Sequence, residues 1–398
     1  MPFHRRFLAC CLPLLFAALP AWALPQETYI WQRQWSPALA EAATATAPLL
    51  QGWRVLAGEV DGRRQWQPAR PDLATLRTTG LPLRGVIRIS GRKTPDLEQV
   101  AQHASDILAE WSRAGLPLRG LEIDHDAPTA QLPSYTAFLH ALRGRLPAGT
   151  SLAITSLPTW LNDAAALRAL LAEADESVLQ VHAVQSPGQG LFNPAQAMKW
   201  AGAWASHTNK PWRVALPAYG SRVSFDESGR LLGIDSERSS MIRAAEAREL
   251  AAVPQSVVAL RDDLQAAALP GLAGFLWFRL PLASDQRAWS PTTFQAALRG
   301  DALRADLGLH LQPGAASQPR DLYIVNEGNA DAPLPAMLVL AKPCGAIDAV
   351  NGYAAEVAGG NVRLRRMDDG LLRAGKARRI GWLRCEIEAK DWRLVAEE

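Results

Sequence analysis

The stretch Gly120-Leu121-Glu122-Ile123-Asp124-His125-Asp126 sets Leu121 and Ile123 in alternation with three acids. A period of two is that of a β-strand, whose successive side chains point to opposite faces. In a barrel strand one face meets the surrounding helices and the other the interior. Leu121 and Ile123 therefore meet helices, and Glu122, Asp124 and Asp126 point toward the axis. Stacking three carboxylates inward is costly, because a lone buried charge is penalised by roughly several kcal/mol and like charges raise one another's pKa. Such a stack persists only with cationic partners, a metal, or a proton held for use. Active sites of barrels lie at the C-terminal ends of the strands, where Asp124 and Asp126 fall.

The surrounding chain reads as repeats of a short apolar strand, a turn signal and an amphipathic helix. Strands are expected at 29–35, 53–59, 85–90, 120–126, 151–157, 178–184, 213–219 and 273–279. The clearest helices are at 95–114, 132–146, 163–174, 194–206 and 239–252, and those after the first two strands are weakly written. Eight such units close an α/β fold of the (β/α)8, TIM-like barrel type over residues 24–312. An open doubly wound sheet is the alternative, but no Gly-rich phosphate loop follows the first strand. Residues 313–319 read as a Pro/Gly/Ala/Ser linker. Residues 320–398 carry β-prone stretches at 322–326, 336–340, 362–367 and 379–387, which predicts a small C-terminal antiparallel β-sandwich.

Of the 398 residues 48% are hydrophobic and 20% charged, a globular balance that excludes a mainly disordered or multi-span membrane protein. The net charge of +3 is spread along the chain, so no nucleic-acid footprint is expected. Fourteen Trp against nine Phe and five Tyr favour surfaces that stack flat ligands. His4, Arg5 and Arg6 precede an apolar run at 7–19, and Ala21-Trp22-Ala23 supplies a small-residue cleavage site. Residues 1–23 thus read as a signal peptide, which predicts a periplasmic or secreted protein with no integral membrane segment in the mature chain. The two cysteines left after cleavage, Cys344 and Cys385, are expected to form one disulfide.

The same alternation sorts the other strands. Ile87 and Ile89 facing out leaves Arg88 in, and Leu179 and Val181 facing out leaves Gln180 and His182 in. Ala215, Pro217 and Tyr219 are expected inward in the seventh strand. In the eighth, Leu276 and Phe278 are assigned to the helical side, so that Trp277 and Arg279 point in. Ile30 is the first strand's one aliphatic residue, which turns Trp31, Arg33 and Trp35 toward the pocket. Each has a structural alternative: Arg88 with Glu122 as a floor ion pair, Asp126 as a loop-capping carboxylate, His182 as a satisfied core histidine, Trp277 as a barrel plug. Glu59, ending the second strand, is a further acid of undetermined facing.

The run ending Glu122-Ile123-Asp124-His125-Asp126 resembles the fourth-strand signature of family 18 chitinases and related glycosidases, D-G-x-D-x-D-x-E, whose last Glu is the general acid. Arg119 stands where the first Asp would be, and Asp126 replaces the final Glu with a shorter reach. Over most of its length the chain is similar to the exported bacterial domain-of-unknown-function family 3142, through W-Q-R-x-W at Trp31 to Trp35, the acidic run, T-S-L-P-T-W at Thr155 to Trp160, L-P-A-Y-G at Leu216 to Gly220 and G-W-L-R at Gly381 to Arg384. The resemblance implies a glycosidase-like barrel, with Trp277 flooring the sugar site and Tyr219 facing the sugar.

The function expected is therefore a glycoside hydrolase-like activity on a polysaccharide or oligosaccharide. Asp126 would be the general acid, Asp124 would orient it, and Glu122 would complete the acidic stack. Trp31, Trp160, Tyr219 and Trp277 would stack sugar rings, beside Arg33, Arg88, Gln180, His182 and Arg279. The seventh strand ends without a second carboxylate; Asp226, Glu227 and Glu237 in the following loop could supply one, or the substrate its own nucleophile. A non-catalytic glycan-binding barrel and a metal-dependent hydrolase using Asp124, Asp126 and His182 are the alternatives. No cofactor motif is present, and Thr155-Ser156 lacks the glycines of a nucleophile elbow.

Overall fold

The computed structural model describes residues 23–395, except 92–94, 183–189, 236–244, 316–317, 345, 359–360 and 368–369. The expected signal peptide, apart from Ala23, and Glu237 lie outside the described residues.

Eight parallel strands close on themselves: β1 Gln26–Ile30, β2 Gly52–Val60, β3 Leu83–Ile89, β4 Leu118–His125, β5 Leu152–Ser156, β6 Glu176–Gln180, β7 Trp212–Pro217 and β8 Leu272–Phe278. Each pairs with the next, and β1 pairs with both β2 and β8, which closes the barrel. The outer layer is α1 Pro37–Thr46, α2 Leu73–Thr79, α3 Leu97–Arg113, α4 Leu132–Arg143, α5 Ala164–Glu173, α6 Pro194–Ala205, α7 Pro254–Ala267 and α8 Pro291–Arg299. The weakly written α1 and α2 are short, 10 and 7 residues, and start on side-chain caps, Ser36 accepting from the Leu39 amide and Asp72 from that of Thr75.

One expected helix is corrected. Within 239–252 the described residues form a strand, Glu246–Ala251, and the helix follows at Pro254–Ala267. The Ala/Glu-rich segment has helical propensity, but six residue pairs with Gly220–Phe225 hold it extended, and tertiary pairing outweighs a propensity worth only tenths of a kcal/mol per residue, roughly. With Leu231–Asp235 on the other side of Gly220–Phe225, these strands form a three-stranded antiparallel sheet inserted between β7 and α7.

The barrel interior is layered. Its floor is ionic: Arg54 of β2, 1% exposed, donates to Glu27, Glu122 and Glu176, and Arg213 also pairs with Glu27 and Glu176. Gly120 and Gly274 make room for this layer. Both have positive φ (132° and 152°), and a Cβ on either would run into backbone oxygen and a neighbouring floor guanidinium, that of Arg84 or Arg213. Above the floor lies an apolar layer of Leu56, Val86, Val178, Ala215 and Leu276 with Tyr29. Leu276 and Phe278 thus face inward, opposite to expectation. An interior with its own apolar layer makes apolar character a poor guide to facing in a strand buried on both sides.

Beyond α8 the chain forms two four-stranded antiparallel sheets. Alternate residues of the two sheets, among them Leu322, Ile324 and Ile380 on one and Leu338, Leu340, Val362 and Leu364 on the other, fill a separate core, as in a β-sandwich. Leu307–Leu311 pairs with Arg320–Asn326, so the chain joins this unit ahead of the expected boundary at Gln312, and the 313–319 stretch connects two strands of one sheet. Cys344 and Cys385 are disulfide-bonded, Cα atoms 5.4 Å apart, tying together the two halves of the unit.

Candidate active site

At the C-terminal ends of the strands the barrel opens into a cavity of about 450 Å³. Its lining includes Asp124 and Asp126 of the β4 run, Arg88, Gln180, His182 and Tyr219, together with Trp31. The period-two reading of β1, β3, β4, β6 and β7 therefore brings seven of the twelve expected site residues to one hollow.

The three acids occupy three different environments. Glu122 is fully buried and belongs to the floor, accepting from Tyr29 Oη (2.6 Å), Thr155 Oγ1 (3.0 Å) and the Arg54 guanidinium. Its expected ion-pair partner was Arg88, but the structure supplies Arg54 instead, because Arg88 sits one layer higher, beside Asp124 in the strand register. Asp124 is 7% exposed, and burial raises its carboxyl to about 7; Asp126 and Glu122 push the same way while Arg88 opposes them. Asp126 keeps solvent access at the rim, yet protein crowded around it takes away enough water to raise its pKa, against the pull of Arg88 and His125. The pair thus holds a proton above the ordinary carboxylate range.

The walls are aromatic. Phe278 packs edge-on to Trp31 (centroids 5.3 Å) and Tyr219 (5.4 Å) and stacks on His182 (5.7 Å, 29° between planes). The Arg88 guanidinium lies 5.7 Å from the Trp31 ring, a cation–π contact that fixes the charge beside the acids. Burial lowers the His182 pKa to about 3, so the ring is neutral. Its Nδ1 is hydrogen-bonded to Tyr219 Oη (3.1 Å), and its buried Nε2 has no partner among the described residues.

Four expected site residues lie elsewhere. Trp277 faces outward, fully buried against Trp289 and Phe294 of the α8 side, with Nε1 donating to Gln26 Oε1. Phe278, next along β8, takes the position expected of it. Trp160 is also fully buried, its Nε1 donating to Ala127 O (2.8 Å) under the loop that follows β4, and its ring edge-on to Tyr135. Arg33 pairs with Glu59 away from the cavity, because β1 ends at Ile30 and its alternation stops after Trp31. Arg279 is held in a bidentate ion pair by Asp285. Trp35, likewise beyond the end of β1, packs against the outer core.

Sequence reasoning missed Tyr29, Thr155, Phe278, Ile234 and Asp235 in the lining. Tyr29 shares the phase of Trp31 and was open to the same argument. Asp235 belongs to the inserted sheet, and nothing in its local sequence signals that it returns to the barrel mouth. Asp226, an expected partner acid, instead organises the turn at 226–230, accepting from the Ser228 and Arg230 amides. Among the described residues no group of three or more His, Cys, Asp or Glu is arranged to hold a metal.

A closed (β/α)8 barrel with acids and aromatic rings at its C-terminal mouth is a TIM-like barrel with a candidate site where such folds carry theirs. The chain belongs to the family described as domain of unknown function (DUF3142), whose profile matches residues 79–283, and a second domain of unknown function (DUF8456) matches residues 309–386. Its fold is similar to that of the spore cortex-lytic enzyme SleL of Bacillus megaterium QM B1551 (TM-score 0.51, 13% identity, covering 70% of this chain and 74% of that one). SleL of Bacillus cereus (0.48, 14%, 70% and 74%) and a chitinase of Chromobacterium violaceum ATCC 12472 (0.46, 14%, 70% and 98%) are also similar. No curated protein matches the chain.

Proposed function

We propose that the protein is an exported glycoside hydrolase acting on a polysaccharide or oligosaccharide, with Asp126 as general acid. The observation that carries this reading is the Asp124–Asp126 pair: two carboxyls raised in pKa, on one face of β4, opening onto a hollow walled by Trp31, Tyr219 and Phe278. Asp126, at the rim, gives its proton to the glycosidic oxygen as the bond to the anomeric carbon breaks and the bonding electrons pass to the departing oxygen. Asp124, deeper and holding its proton to about pH 7, resupplies Asp126 and then stands ionised near the positive charge developing on the sugar. Water, or a carbonyl oxygen of the substrate itself, completes the substitution at carbon. Asp235, a third carboxylate of the lining, activates that water in this reading.

The sugar-ring faces stack on the aromatic wall, which excludes water while hydroxyls meet Gln180, Arg88 and His182 Nε2. Export rests on the basic and apolar N-terminal run and is supported by the Cys344–Cys385 disulfide. No helix among the described residues is long and apolar enough to cross a membrane.

The test is a glycan-panel assay of released reducing ends. The wild type should release them, and Asp126→Asn should lower kcat by about 10²–10⁴-fold while still binding the glycan. Binding with no release by the wild type would leave a glycan-binding barrel as the reading.

A further inference from the structure

A second cavity, of about 350 Å³, lies between the inserted sheet, the segment after β8 and the C-terminal unit. Arg222 is cross-strand neighbour to Asp235 on one side and to Glu249 on the other, and cross-strand neighbours share a face. Asp235 lines the first cavity while Arg222 and Glu249 line the second, so the two hollows adjoin along one face of this sheet.

The second cavity is strongly cationic. Among the described residues its lining holds four guanidinium groups, Arg222, Arg287, Arg373 and Arg378, against one carboxylate, that of Glu249. Glu249 is engaged by Arg287 in a bidentate pair (2.8 and 3.0 Å). Arg373 donates to the backbone oxygens of Ala283, Asp285 and Ala288, and Arg378 to that of Asn351. Neutral carbonyls orient these groups without cancelling their charge. Arg222 is exposed and has no partner among the described residues. A guanidinium fork matches the geometry of a carboxylate or phosphate and binds it bidentately. The carbonyls that hold Arg373 (Ala283, Asp285 and Ala288) and Arg378 (Asn351) come from separate parts of the chain, so the charge is presented by a shaped wall and not by a flexible run of basic residues.

Building on the glycosidase reading, we propose that the substrate is an acidic glycan, one sugar of which, outside the catalytic pocket, places a carboxylate or phosphate substituent in this arginine-lined cleft. Among its described residues the pocket itself offers Asp124, Asp126 and Asp235 against Arg88; the acidic group is read next door, and the chain is gripped across both hollows.

The experiment measures affinity by titration calorimetry with three hexasaccharides: a neutral N-acetylglucosamine chain, the same chain with lactyl carboxylates on alternate sugars, and one bearing 6-phosphates. The full chain carrying Asp126→Asn, which blocks turnover, is compared with the same chain carrying Arg222→Gln and Arg378→Gln as well. At low salt the acidic chains should bind about tenfold or more tighter than the neutral one, the gap narrowing as salt screens it. In the arginine variant the gap should shrink to about twofold or less, and whichever acidic chain shows the larger initial gap identifies the substituent. If the double arginine change impairs folding, judged by the thermal midpoint, Arg222→Gln alone decides, since this side chain is exposed and holds nothing. Equal affinities, a gap that survives the arginine changes, or no binding of any of the three overturns the proposal. Release of reducing ends by the wild type, scored on the same chains, separates the two readings: acidic preference without release defeats the hydrolase alone, and release without preference defeats the acidic-substrate inference alone.

Discussion

The Arg54 guanidinium on β2 is bonded to the Glu122 carboxylate on β4, one layer beneath Asp124. The acid that begins the inward stack is thereby removed from the chemistry and made part of the floor. Burial works to raise the pKa of Glu176, but Arg54, Arg213 and Arg84 outweigh it and hold the carboxyl at about 2; Arg54 and Arg213 likewise hold Glu27 down.

Arg54→Met should therefore destabilise the barrel by about 3–5 kcal/mol, because it strands buried carboxylates without their cation. Chemical denaturation at neutral pH measures this. The depressed carboxyls also set a sign: their stabilisation is present above the unfolded value of about 4.5 and is lost as pH falls toward about 2. The variant should accordingly show a shallower loss of stability over that interval, and an unchanged acid limb would remove the floor from the account.

Asp124 carries the opposite sign. Its folded pKa of about 7 exceeds the unfolded 3.8, so the stability it contributes is present below the lower value and is lost as pH rises through the higher one. Asp124→Asn, which cannot ionise, should be more stable than wild type at about pH 8 by roughly 2–4 kcal/mol, with the difference vanishing near pH 4. Calorimetric melting at the two pH values gives the comparison, together with loss of turnover.

Arg88 lowers the pKa of both Asp124 and Asp126. In Arg88→Met the alkaline limb of kcat/KM should move to higher pH, since the acid pair keeps its proton longer. A limb that stays in place, or moves down, would mean that the titrating group lies elsewhere.

Phe278 and Trp277 separate binding from packing. Trp277→Ala should cost about 3–5 kcal/mol of stability through the cavity left beside Trp289 and Phe294. Phe278→Ala should weaken glycan binding, by about tenfold, with a smaller loss of stability. Melting and titration on the two variants are expected to rank them in opposite orders.

The location of seven of the eight barrel strands and of the acidic run was legible because each depends on a local period, side chains that alternate along a strand and helices that recur between strands; the first strand, expected at 29–35, runs Gln26–Ile30. The same rule placed Arg88, His182 and Tyr219 in the cavity. It failed for Trp277 because β8 is buried on both faces and Leu276 and Phe278 fill an apolar layer inside the barrel. It failed for Arg33 because β1 stops at Ile30, and three residues past that end the chain no longer keeps the strand's alternation, whereas His182 and Tyr219, just past theirs, are still held extended by β-bridges.

From the order of its residues alone the chain determines a parallel barrel with an acidic strand whose upper members reach the mouth, since those features follow from side-chain periodicity over a few residues. Only the tertiary structure decides which acid is neutralised, by bringing Arg54 of β2 and Glu176 of β6 to Glu122 and Glu27 across the barrel axis, and which aromatic ring meets the ligand. It alone also returns Asp235 to the mouth and sets Arg222 beside Arg373, positions distant in the chain whose approach depends on how strands pair and sheets pack. Charge compensation acts through space, and the sequence orders residues only along the backbone.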